Sequence, residues 1–323
     1  MRVEEDRRAR PRDPRGRDAD APTQIPPRGW WDVLKRTWAE LTRDNMGLIA
    51  AGVAFYFLLS LAPALAAFVS IVGLVLDPAD VQSQVQSLSG VIPEAGREVV
   101  HEQLSRLVSQ PAAALGLGFV VALALALWST MSATKSMITA LNIAYDEEER
   151  RGLFKLNLAA LLLTLGAILF LSVSIALIAV APAVLDRVGL DRVGRAAIDL
   201  LRWPALALLV LGGLAALYAY APSRAKPKWR WVSPGSLVAT GLWLAASGLF
   251  SLYVSKWGSY NETYGSLAAV VILMLWLYLT AYTVLLGAEL NAALEHQTAK
   301  DSTTGPPRPM GQRDAYVADT VGR

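Results

Sequence analysis

The side chains of this chain that could do chemistry are few, and they sit beside long apolar runs. Asn142 lies near the end of Ala140-Leu141-Asn142-Ile143-Ala144-Tyr145, just before the charge cluster Asp146-Glu147-Glu148-Glu149-Arg150-Arg151. Asn261, Glu262 and Tyr264 fall in the short turn Tyr260-Asn261-Glu262-Thr263-Tyr264-Gly265 between two apolar runs. Glu289 and Asn291 close the last apolar run in Gly287-Ala288-Glu289-Leu290-Asn291. A carboxylate at such a depth is costly unless it is paired or wet. Amides and carboxylates there suit the binding of a cation or a polar headgroup, or the gating of a path. Each has a plainer reading. Asn142 can close a solvated helix end, Tyr260–Gly265 can be a tight turn whose tyrosines anchor at the interface, and Glu289 can complete a structural network with Asn142.

Other chemistries are excluded by what the chain lacks. It has no cysteine, so disulfides and thiolate metal sites are out. His101 and His296 stand alone, too few for a histidine-based metal centre. No Gly-x-x-x-x-Gly-Lys-Ser/Thr loop, His-Glu-x-x-His helix or Gly-x-Ser-x-Gly turn occurs. An enzyme would need an acid, base or nucleophile cluster, and the sequence offers isolated candidates only. Neither enzyme activity nor a cofactor or metal is expected.

The elements that position these residues are apolar and long. Hydrophobic residues make up 54% of the 323 and charged residues 18%. The segment from Ser266 to Ala288 carries no charge at all, and a bilayer needs roughly 20 such residues. The fold class is all-α: a polytopic membrane bundle of six transmembrane helices, over 48–76, 112–131, 156–185, 203–221, 233–254 and 266–290. Pro63 is a candidate kink in the first. Lysines and arginines divide 23 to 7 between alternate connections, which places both termini in the cytoplasm.

The domain organisation follows. Residues 1–28 hold eight arginines and six carboxylates with little apolar content and are expected as a disordered cytoplasmic tail. Residues 29–46 form an interfacial amphipathic helix, with Trp31, Leu34, Trp38 and Leu41 as its apolar stripe. Residues 47–296 are the transmembrane domain, including an extracytoplasmic helical segment at 77–111. Residues 297–323 are a second disordered cytoplasmic tail. Gly241, Ala245 and Gly248, like Gly47, Ala50, Ala51 and Ala54, recur at the spacing of close helix packing.

Several of these elements together resemble the YihY/BrkB family of bacterial inner-membrane proteins, formerly labelled ribonuclease BN. They are Ala50-Ala51-Gly52-Val53-Ala54-Phe55-Tyr56, Ser60-Leu61-Ala62-Pro63, Ala140–Tyr145, Tyr220-Ala221-Pro222, Tyr260-Asn261-x-Thr263-Tyr264-Gly265 and Gly287–Asn291. The resemblance covers about residues 30–295 and implies a multi-pass protein of the bacterial cytoplasmic membrane. Some members are tied to serum resistance, others to export of envelope lipid. The expected function is transport or translocation of a lipid or other amphiphile, with Asn142, Asn261, Glu262, Tyr264, Glu289 and Asn291 as substrate or gating residues. The alternative is a non-catalytic envelope scaffold that binds a protein partner. Membrane lipids are the expected partners and nucleic acid is not. The bundle can be complete alone or half of a homo-oligomer.

Overall fold

The computed structural model describes residues 13–73, 117–177, 192–257 and 268–322. The described residues contain eight α-helices and no strand: α1 Pro27–Arg43, α2 Met46–Gly73, α3 Leu117–Ala144, α4 Leu153–Ile175, α5 Arg192–Tyr220, α6 Trp229–Trp257, α7 Ala268–Glu295 and α8 Tyr316–Asp319. Each of the six expected spans overlaps one long helix from α2 to α7. Four of them (α4, α5, α6 and α7) are long and apolar enough to cross a membrane by the described residues alone. The count is five if α1 and the first part of α2 form one broken span. The helix α2 continues through Pro63.

The long helices close into a ring. Around it α2 packs on α3, α3 on α4, α4 on α5, α5 on α6, α6 on α7 and α7 on α2. The helix α7 is the hub, touching α1, α3 and α8 as well. At 28 residues, and about 1.5 Å of rise each, α7 is longer than the roughly 30 Å hydrocarbon layer. Its last turns therefore belong to one end of the bundle, here called the base. Outward side chains of the long helices are apolar and exposed, among them Leu162, Leu169, Leu208, Leu244 and Leu249. That surface suits lipid and would be an aggregation hazard in water.

The base is where the chain is most tightly packed. Met46, Leu141, Tyr145, Tyr218, Val232, Leu285 and Ala288 are buried there in one cluster. A second cluster joins Ile25, Val33, Trp231, Leu290 and Leu294. The helix α1 meets Met46–Leu61 at 63°. The corner is made by Asn45, whose φ of 50° lies in the left-handed region that Asn tolerates better than most residues. The apolar stripe of α1 divides between two environments: Leu41 is buried with Val33 and Thr37, whereas Trp31, Leu34 and Trp38 are exposed.

Both described tails depart from the disorder that their composition suggested. Ala19 and Ile25 are buried against α1, α6 and α7. Thr298 Oγ1 donates to the Ala19 carbonyl at 2.6 Å, and Gln297 Nε2 to the Arg15 carbonyl at 2.8 Å. The C-terminal segment is organised by Arg313, 5% exposed. Its guanidinium donates to the carbonyls of Ala299, Lys300, Arg308 and Ala318. One cation satisfying four carbonyls orders this segment, and Val317 anchors it in the buried cluster of the base. Residues 77–111, expected as an extracytoplasmic helical segment, lie outside the described residues.

Candidate functional site

The buried amides and carboxylates among the described residues converge on the base. The helix α3 ends with its Asp146 amide bonded to the Ile143 carbonyl and its Glu147 amide to the Asn142 carbonyl. This is the reverse turn that favours glycine at the left-handed position; here Asp146 occupies it at φ 54°. Arg43 Nη2 holds the Asp146 carboxylate at 2.7 Å and so ties α1 to the end of α3.

Asn142 is 5% exposed and bridges two connections. Its Nδ2 donates to Glu149 Oε2 at 3.0 Å, and its Oδ1 accepts from the Ser223 amide at 2.7 Å. Burial works against the Glu149 charge. The side chain and backbone of Arg151, with Asn142, nevertheless hold its pKa down to about 2. Arg151 Nη2 continues to the Ala221 carbonyl at 2.8 Å.

Asn291, fully buried, locks α7 to α6. Pro234 stands in the second turn of α6, where its ring displaces the regular ladder. The Gly235 amide donates instead to Asn291 Oδ1 at 2.8 Å, and Asn291 Nδ2 donates to the Val232 carbonyl at 3.1 Å. A Cβ on Gly235 would strike the Gly287 carbonyl and the Asn291 side chain; one on Gly287 would strike the Tyr218 hydroxyl. Tyr218 in turn donates to the Val284 carbonyl at 2.8 Å. The close helix contact of this bundle is thus Gly235 on Gly287. Of the glycines with the small-residue spacing, a Cβ on Gly241 or Gly248 would meet nothing within 4 Å, and one on Gly47 would meet the Tyr278 hydroxyl at 3.5 Å.

Glu289 is 2% exposed, and its Oε1 has no hydrogen-bond partner among the described residues. The charges that act on it are Asp44, Glu40 and Arg43 at the corner between α1 and α2, and Asp146 at the end of α3. It forms no hydrogen bond with Asn142. The Tyr145 hydroxyl and Arg224 Nη1 are likewise buried without a partner.

A buried ion pair completes the base. Arg224 Nη2 donates to both oxygens of Glu295, at 2.9 and 2.7 Å, and both side chains are inaccessible to solvent. Ser302 Oγ donates to Glu295 Oε2 at 2.7 Å, and the Arg224 guanidinium lies 4.7 Å from the centre of the Tyr145 ring. Burial disfavours the Arg224 charge, but Glu295 and Tyr145 outweigh it and raise its pKa. Sequence reasoning missed this pair. The two residues stand 71 positions apart and neither belongs to a motif, so nothing in the sequence pairs them.

The structure therefore brings Asn142, Glu289 and Asn291 to one end of the bundle. Asn261, Glu262 and Tyr264 lie outside the described residues. Among the described residues no group of three or more His, Asp or Glu side chains has the spacing to hold a metal.

A groove opens on the outer face between α2 and α3, with a volume of about 520 Å³. Ser132, Lys135, Ser136 and Thr139 line it from one face of α3, and Tyr56 from α2. Lys135 Nζ lies 5.3 Å from the centre of the Trp128 ring.

The profile of the family described as Virulence factor BrkB matches residues 37–311. The chain belongs to this family. It is 32% identical over 269 residues to the UPF0761 membrane protein VP0125 of Vibrio parahaemolyticus, covering 82% of this chain and 81% of that one. It is 31% identical over 268 residues to the ribonuclease-like protein YfkH of Bacillus subtilis, covering 81% of this chain and 94% of that one. The UPF0761 membrane protein PBPRA3489 of Photobacterium profundum is 30% identical over 290 residues, covering 85% of this chain and 86% of that one. No solved structure matches. This BrkB-family chain is a membrane protein, which accounts for its apolar outer surface; the ribonuclease-like wording is that of the Bacillus protein's name.

Proposed function

We propose that this BrkB-family protein crosses the bacterial cytoplasmic membrane six times, with both termini inside, and moves a lipid or other amphiphile of the envelope. The observation that carries the reading is the groove between α2 and α3. Two serines, a threonine and a lysine line one face of α3 directly after the span that ends at residue 131, the level at which lipid headgroups lie. A polar headgroup seated among Ser132, Lys135, Ser136 and Thr139, with its chains left in the surrounding lipid, satisfies that stripe. The buried amides and Glu289 lie at the base of the same two helices and of α7. They give the path a polar end.

The test is lipid retention through gentle purification, read by native mass spectrometry. Wild type is compared with Ser136→Leu/Thr139→Leu, which fills the groove from exposed or half-buried positions, and with Glu289→Gln. A lipid species enriched over the bulk membrane in wild type and lost from the folded groove variant supports the reading. Bulk lipids alone, unchanged in both variants, overturn it. That result would favour the alternative, a non-catalytic envelope scaffold in which a partner helix covers the polar stripe.

A further inference from the structure

A second site lies at the base, between the α3–α4 and α5–α6 connections. Two cavities of about 400 and 590 Å³ share Arg150, Arg151 and Ser223 as a common wall. Lys226 and Tyr220 line the first, and Leu153, Phe154 and Lys155 the second. They occupy the level where α4 begins and α5 ends.

The charges in these walls do not balance. Arg151 is taken up by Glu149, Arg224 by Glu295, and Asp314 by Arg308 at 3.2 Å. Arg150, Lys155 and Lys226 remain. None of the three has an ion-pair partner among the described residues, and Glu148 lies outside both linings. Ser223 Oγ accepts from the Arg150 amide at 3.1 Å, which leaves its own proton to donate. Lys226 Nζ rides over the Tyr220 ring at 4.8 Å, at the point where the apolar helix surface gives way to the connection.

The apolar side of the site is equally bare. Leu153 and Phe154 are 82% and 81% exposed. Water would be a poor neighbour for two such side chains at a helix start. Acyl chains are a good one, and basic pockets between membrane helices on this kind of face hold anionic headgroups.

We propose that Arg150, Lys155, Lys226 and Ser223 form a binding site for the phosphate of an anionic phospholipid, with Leu153 and Phe154 against its acyl chains. The ligand is a lipid, not a soluble anion, because the cationic wall and the exposed apolar pair belong to one cavity system. The inference rests on membrane placement alone and is independent of the groove.

The full chain in detergent is given equal amounts of phosphatidylglycerol and phosphatidylcholine, and bound lipid is read by native mass spectrometry. Wild type retains phosphatidylglycerol selectively. Each of Arg150→Gln, Lys155→Gln and Lys226→Gln lowers that selectivity about fivefold, and the triple variant roughly a hundredfold. Arg150→Lys keeps it, and so does the groove variant Ser136→Leu/Thr139→Leu. Selectivity in the triple variant within twofold of wild type overturns the site. So does equal competition by glycerophosphoglycerol, the headgroup without its chains, which would mark a soluble-anion site. Should the triple variant fail to fold, the single variants decide by the same fivefold criterion.

Discussion

At the residue scale, the Arg224–Glu295 pair shows how burial fixes the worth of a charge. Both side chains are inaccessible, and Glu295 takes two hydrogen bonds from Arg224 and one from Ser302. Removing one partner strands the other charge away from water, which costs about 3–5 kcal/mol, whereas replacing both by apolar groups can be neutral. Glu295→Gln and Arg224→Met are each expected to lower thermal stability in detergent strongly, and Arg224→Met/Glu295→Leu to recover most of the loss. Additive losses in the double variant would sink this account. His296 supplies the pH dependence. Burial, then Arg36 and Arg43, push its pKa from 6.5 down to about 4, while Thr320 Oγ1 sits 3.0 Å from Nε2 and Tyr316 packs edge-on. A histidine depressed in the folded state takes up its proton more readily when unfolded. Its contribution to stability is therefore complete above about pH 6.5 and is lost as pH falls toward 4. Glu149 acts lower, between 4.5 and about 2. Glu147, raised by burial, acts in the opposite sense. The difference in Tm between wild type and His296→Asn should shrink between pH 6.5 and 4. A difference constant across that window would remove His296 as the cause.

At the scale of elements, the sequence was informative wherever one interaction repeats along a helix. Runs of apolar residues located α2 to α7 because every lipid-facing turn reports the same solvent. Asn142, Glu289 and Asn291 stood out because a polar group beside such a run needs a reason. The tails were not legible in the same way. Arg313 holds its segment through four carbonyls, and carbonyls have no sequence signature. The helix contact was misplaced for a related reason: small-residue spacing is present at Gly241 and Gly248, yet among the described residues of α6 and α7 it is Gly235 and Gly287 that meet. What singles out Gly235 is Pro234 before it, a helix disruptor, and the bond its amide gives to Asn291. Gly235→Ala and Gly287→Ala should each destabilise the protein by about 1–3 kcal/mol through overpacking. Gly241→Ala, in open space, should be neutral or stabilise by about 0.5–1 kcal/mol, because alanine favours the helix. Thermal melts of the three single variants in one detergent separate the cases. Equal effects at all three positions would reject Gly235–Gly287 as the contact that sets the approach of α6 and α7.

At the scale of the whole molecule, four segments distant in sequence meet at one end of the ring. Arg43 reaches Asp146, Ser223 reaches Asn142, Glu147 accepts from the Tyr316 amide at 2.7 Å, and Arg36 Nη1 donates to Gln297 Oε1 at 3.2 Å. These are the N-terminal segment, the α3–α4 and α5–α6 connections and the C-terminal tail. The charge count along the sequence assigns the same four to the cytoplasm, by a criterion that knows nothing of contacts. Agreement between packing and charge has a sharp consequence, since a single misplaced span would put two of these segments on opposite sides of the membrane. The chain has no cysteine, so one can be introduced at a time. Asp18→Cys, Glu148→Cys and Met310→Cys, all at exposed positions, should resist a membrane-impermeant maleimide in intact cells and react in inverted vesicles. Lys256→Cys, near the far end of α6, should show the reverse. Labelling of any of the first three from outside would break the proposed topology, because the contacts at the base allow those three positions only one common side.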